Sequence, residues 1–95
     1  MNNRISALKL LNYGRIKAVC DVVIAETVVV HGVRVVEGSE GLFVSFPCER
    51  KLDREGVVRY YDIVHPVTAE ARTELTELVL CEYRRQAENP NEVQE

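Results

Sequence analysis

Apolar and polar positions alternate along the first half of this chain and then change rhythm near residue 68, and the two rhythms mark out its elements. In residues 15–25, Ile16, Ala18, Cys20, Val22 and Ile24 fall on one face, and Arg15, Lys17, Val19, Asp21 and Val23 on the other. Successive side chains of a strand point to opposite sides. The segment therefore predicts a strand with one apolar face and one mixed face, as in an antiparallel sheet partly open to water. Residues 27–37 are rich in valine, whose branched side chain suits a pleated surface, and predict a further strand. Gly38-Ser39-Glu40-Gly41 reads as a hairpin loop, its glycines accepting the positive φ of tight turns. Residues 42–46 form the next strand, ended by Pro47, which has no N–H to give to a ladder. Residues 4–11 predict a short first strand followed by a turn at Asn12-Tyr13-Gly14. Residues 60–64 predict a short edge strand that stops at His65-Pro66.

Beyond His65-Pro66 the period becomes helical. Thr68 suits an N-cap, Glu70 and the Arg84-Arg85 pair complement the helix dipole, and Ala71, Leu75, Leu78, Val79 and Tyr83 share one face. The helix should pack across the sheet with Leu78 facing Val22. Residues 86–95 are polar, contain Asn89-Pro90 and read as a frayed tail. The fold predicted is α+β: an antiparallel sheet of four to five strands with one C-terminal helix packed across it. It forms a single domain over residues 1–87, and residues 88–95 form a polar, disordered tail.

Residues 49–61 fit neither rhythm. They hold no apolar run long enough to bury, and they carry Arg50, Lys51, Arg54 and Arg59. They predict a mobile basic loop presented by a rigid scaffold, a common placement for function.

Composition sharpens this picture in three ways. At 95 residues the chain is one domain, small enough that self-association would help cover its apolar surface. No apolar run approaches the ~20 residues needed to cross a bilayer, and no secretory h-region opens the chain, so a cytoplasmic protein without a membrane partner is expected. Three unpaired cysteines argue against a disulfide framework; Cys20 and Cys81, among apolar neighbours, read as buried, and Cys48 as an exposed thiol. The net charge of −3 opposes a whole-surface polyanion footprint. Glutamates dominate from Glu70 onward while much of the basic charge lies in residues 14–17 and 50–59, so a polyanion site must be local.

Candidate chemistry is sparse. His31, His65 and Cys48 lack the paired spacing of a metal site, and His31 among valines reads as a core or interface histidine. Asp62 and His65 are three apart, yet local pairing of Asp62 and an extended His65 held by Pro66 account for them better than a catalytic dyad. Gly38 and Gly41 are flanked by Glu37 and Glu40, which disfavours an anion there. The expectation is no catalysis, no cofactor, no metal and no small-molecule substrate. Arg50, Lys51, Arg54 and Arg59 are the best functional candidates. Arginine can fork onto phosphate or guanine edges, and Tyr60 or Tyr61 can stack on an unpaired base. The residues alone leave a second reading open, a solvated loop whose charges cancel against Glu49, Asp53, Glu55 and Asp62.

The segments VVHGVRVVEG, GLFVSFP, DIVHP and EYRR, in this order over residues 14–85, resemble the stage V sporulation protein G family (SpoVG, the septation-protein G regulators). The resemblance implies a small homodimer that binds DNA and/or RNA and regulates gene expression, with links to cell division or sporulation-type development. It favours the binding reading of the basic group, with Arg84 and Arg85 extending the surface. Where the family pattern has serine followed by two basic residues, this chain has Cys48, Glu49 and Arg50, with Lys51 next. Where the pattern has arginine before Asp-Ile-x-His-Pro, this chain has Tyr61, with Arg59 two residues earlier. The alternative function is a non-enzymatic protein-interaction module acting through a sheet edge or helix face.

Overall fold

Strands β1 (Asn3–Tyr13), β2 (Ile16–Ile24), β3 (Val28–Gly38) and β4 (Gly41–Ser45) lie side by side in chain order as one antiparallel sheet. A separate two-stranded ribbon follows, β5 (Cys48–Leu52) with β6 (Val58–Asp62), and then helix α1 (Ala69–Glu88). This computed structural model describes residues 2–88. The α+β architecture is the one the alternation predicted, although most boundaries shift by one or two residues. Of the predicted tail, Glu88 is the last helical residue and 89–95 lie outside the described residues. The frayed tail expected from residue 86 starts too early, since the Gln86 side chain donates to Glu82 Oε2 at 2.7 Å within the helix.

The core lies between one sheet face and the helix. Ala18, Cys20 and Val22 of β2, Val33 and Val35 of β3, Phe46, and Leu75 and Val79 of α1 are all buried. Burial pushes the Cys20 thiol up to about 11, with the Asp21 charge adding to it, so this cysteine acts as a small hydrophobe. Strand β3 reaches the core only because it changes phase. Val22 pairs with Val30 and Cys20 with Val33, which leaves His31 and Gly32 opposite Asp21 alone. Gly32 has φ +80, a conformation that only glycine adopts cheaply, and the extra residue flips the alternation. Val30 and Val33 thus both face inward, and His31 is turned outward. Its Nδ1 lies 3.0 Å from Asp21 Oδ1 and its side chain is exposed, so the expected core or interface histidine is a surface one.

Two more expectations are corrected. Leu78 is only half-buried and lies off the core cluster, and Leu75 with Val79, one helical turn apart, faces Val22 instead. Cys81 is exposed on the helix rather than buried. The N-cap holds: Thr68 Oγ1 accepts from Ala71 N–H at 3.0 Å.

The β2–β3 turn carries strain. Ala25 (φ +53) and Glu26 (φ +54) are both left-handed, and Thr27 N–H closes on the Ile24 carbonyl at 3.0 Å. Hairpin turns of this kind favour Asn-Gly. Here neighbouring groups hold the turn: Ala25 N–H donates to the Asn2 carbonyl at 2.7 Å, and Arg4 forks onto Glu26 at 2.7 and 3.1 Å. Ala25→Asn should recover part of the roughly 1–2 kcal/mol that a left-handed alanine costs. A higher denaturation midpoint than the parent's is the expected result.

Candidate nucleic-acid interface

The largest departure from the sequence reading lies at residues 48–62. The predicted mobile loop is a β-ribbon, and the predicted edge strand at 60–64 is its second arm, outside the main sheet. All ten strand residues are exposed, as foreseen from the lack of a buryable run. Their order comes instead from backbone pairing and two local devices. At the root, the Pro47 carbonyl accepts from Ile63 N–H at 2.9 Å and Val64 N–H at 3.4 Å. At the tip, Asp53 Oδ1 accepts from Glu55 N–H and Val57 N–H, each at 2.9 Å, while Asp53 Oδ2 accepts from Arg59 Nε at 2.9 Å. Gly56, with φ +81, completes the turn. Five residues per arm give a projection of about 17 Å. The radius of gyration of 14.5 Å exceeds the about 12 Å of a compact domain this size, as a projecting arm requires.

Cross-strand pairing sorts the ribbon's side chains. Arg50 pairs with Tyr60, and Leu52 with Val58, on one face; Lys51 pairs with Arg59, and Glu49 with Tyr61, on the other. The four basic residues are brought together, but they are not equivalent. Arg59 is engaged with Asp53. Lys51 Nζ is 3.9 Å from Glu49 Oε1 and 5.9 Å from the centre of the Tyr61 ring. Arg50 and Arg54 have no acidic partner among the described residues. The local charge cancellation weighed above therefore covers Arg59 and, loosely, Lys51, and leaves the other two cations available.

Arg84 and Arg85 are not part of this group. They lie in the last turns of a 20-residue helix, about 25 Å along its axis from the start, near which the ribbon is rooted. Arg85 is bound to Glu82, Nη2 to Oε2 at 2.5 Å, and this pairing holds the Glu82 carboxyl below its ordinary range. Asp62 and His65 do not form a dyad: Asp62 ends β6 opposite Cys48, and His65 Nδ1 lies 3.0 Å from the Pro66 carbonyl.

Arg59 also depresses the Asp53 carboxyl pKa, the Val57, Glu55 and Gly56 amides helping. A depressed folded value means that the aspartate's contribution is complete above 3.8, its ordinary value, and lost as pH falls through the lower folded value. Asp53→Ala should unravel the tip at any pH. Faster amide exchange at Glu55 and Val57, with the main sheet unchanged, is the expected signature.

The strand pairing of residues 48–52 is absent from the sequence expectations above. A signal was available in Asp-x-x-Gly at residues 53–56, between two five-residue runs of non-helical character.

The SpoVG family model matches residues 2–85. A Listeria monocytogenes protein named "Putative septation protein SpoVG 2" is 40% identical over 75 residues, 79% of this chain and 70% of the relative. A Geobacillus thermodenitrificans protein of the same name without the numeral is 37% identical over 82 residues, covering 86% and 81%. Another, from Finegoldia magna, is 36% identical over 88 residues, covering 92% and 78%. With one sheet, one helix and a projecting ribbon beneath a match that runs through nearly every described residue, the chain belongs to the SpoVG family.

Proposed function

We propose that this protein is a homodimeric, nucleic-acid-binding regulator that acts by contact and performs no chemistry of its own. The observation that carries the reading is the ribbon. It adds no strand residue to the buried core, is locally well built, and offers Arg50 beside Tyr60 with Arg54 at its tip. A two-stranded ribbon fits the major groove of duplex DNA, where arginine reads phosphate and guanine. The septation names of the relatives fit a regulator linked to cell division or a sporulation-type programme.

A second copy is the expected partner. An apolar groove of about 460 Å³ opens beside the ribbon's root, lined by Ile24, Val28, Phe46, Val64, Val67 and Leu75 among others. Its rim is itself apolar, with Val67 91% exposed. A surface that offers both hollow and apolar projection can pair with itself across a two-fold axis. Such a dimer would present two ribbons, and avidity can then exceed single-arm affinity by ~10²–10⁴.

Two measurements test the reading. Light scattering at micromolar concentration should give the mass of a dimer. Anisotropy of labelled duplex DNA and RNA should show binding that weakens steeply with salt. A stable monomer would remove the dimer, and salt-independent or absent binding would remove the nucleic-acid reading. In the latter case the groove becomes the working surface of a protein-interaction module.

A further inference from the structure

The main sheet has two faces, and α1 covers only one. On the other face the strand register aligns side chains in rows across all four strands. One row runs Tyr13, Ile16, Val36, Phe43; the next runs Lys9, Val19, Arg34, Ser45. The ribbon does not cover them, since every one of its strand residues is itself exposed.

The two rows complement each other. Tyr13 is 76% and Phe43 46% exposed, an unusual display for aromatics on a small domain. The Phe43 ring lies across Gly38: a Cβ there would sit 3.0 Å from Phe43 Cε1. The glycine thus seats the ring against the sheet. In the neighbouring row, Lys9 and Arg34 have no acidic partner among the described residues. Two strand spacings place them about 10 Å apart, and the aromatic row lies about 7 Å away along β3 and β4 and about 13 Å away along β1. Asp21 is the acid on this face, within 3.0 Å of the His31 ring, and Arg4 is paired with Glu26. The helix on the opposite side carries Glu70, Glu74, Glu77, Glu82 and Glu88. In a chain of net charge −3, the open face is thus a local cationic and aromatic surface.

We propose that this open sheet face is a second nucleic-acid surface, one that takes an unpaired strand. Phe43 and Tyr13 stack bases over a floor of Ile16 and Val36, and Lys9 and Arg34 hold the backbone phosphates. Flat aromatics beside cations suit a single strand, whose bases are free to stack, whereas a duplex keeps its bases within. The proposal goes beyond the ribbon reading and does not depend on it.

The test uses the full chain and labelled mixed-sequence oligonucleotides, single-stranded DNA and RNA against a matched duplex, across a salt series. Lys9→Gln with Arg34→Gln should weaken single-strand binding and reduce the salt slope by about 1.4, two contacts at ~0.7 each. Phe43→Leu should weaken it about five- to 150-fold, the range of one stacked base, without changing the slope. Phe43→Tyr should restore it, which a purely structural role for the apolar side chain would not require. Duplex binding should be unmoved by these changes, and thermal midpoints should confirm folding. Single-strand affinity equal to the parent's in the charge and Phe43→Leu variants would overturn the proposal. So would a fall from dimer to monomer mass in either, which would make the face an interface between copies. Loss of single-strand binding only when Arg50 and Arg54 are replaced would likewise overturn it and assign that ligand to the ribbon. The ribbon reading fails by a different result, unchanged duplex affinity in that same ribbon variant.

Discussion

Arg50→Ala with Arg54→Ala is expected to lower affinity for duplex nucleic acid by on the order of 100-fold or more, and to leave the thermal midpoint where it was. Hydrogen bonds to charged groups are worth about 1.5–3 kcal/mol each, so two lost per subunit exceed the ~2.8 kcal/mol of a 100-fold change. The salt slope should fall by about 0.9 for each phosphate contact removed. Adding Lys51→Ala should cost less, because Lys51 already lies near Glu49 and the Tyr61 ring. Adding Arg59→Ala acts by another route, releasing Asp53 and loosening the tip that positions Arg54. Replacing Arg84 and Arg85 should matter less than the ribbon pair, given their distance along α1 and the Glu82–Arg85 pairing. Anisotropy over a salt series reads all of these. Parent-like binding by the double variant would return the ribbon to a solvated connection.

Leu75→Ala should cost about 2–5 kcal/mol, the range for truncating a buried leucine. That is a large share of the stability of a small domain. Leu75 is buried in the core that Val22, Val33, Val35 and Val79 complete. Leu78→Ala should cost only a fraction as much, since Leu78 is half-buried and outside that cluster. Chemical denaturation of the two variants side by side is the check. Equal losses would mean that the helix is rolled about its axis relative to this packing.

The contrast between those two leucines shows what the sequence made legible. Helical spacing alone puts Leu75, Leu78 and Val79 on one broad stripe. Which member points at β2 depends on how the helix is rolled against the sheet, and that is a tertiary choice. Strand β2 was legible from Ala18 to Ile24, whose inward face is the predicted one, whereas the register shift between Ile16 and Ala18 turns Ile16 to the open face against the expectation. Strand β3 was legible as a strand but not in its facing, because the His31-Gly32 bulge inverts the phase midway. The ribbon was hidden for a different reason. Sequence patterns detect burial, and none of its strand residues is buried; only the Asp53 and Gly56 turn chemistry betrayed it. The basic group was legible as residue types, and the structure added its inner division into engaged and available cations.

The ribbon's position outside the core also separates two kinds of evolutionary constraint. Glu49, Arg50 and Tyr61 all lie outside the buried core, so under the proposed reading a substitution there retunes what the arm recognises and leaves the scaffold's core intact. Gly32 answers to folding, since its φ of +80 sets the phase of β3 and so decides which of its valines reach the core.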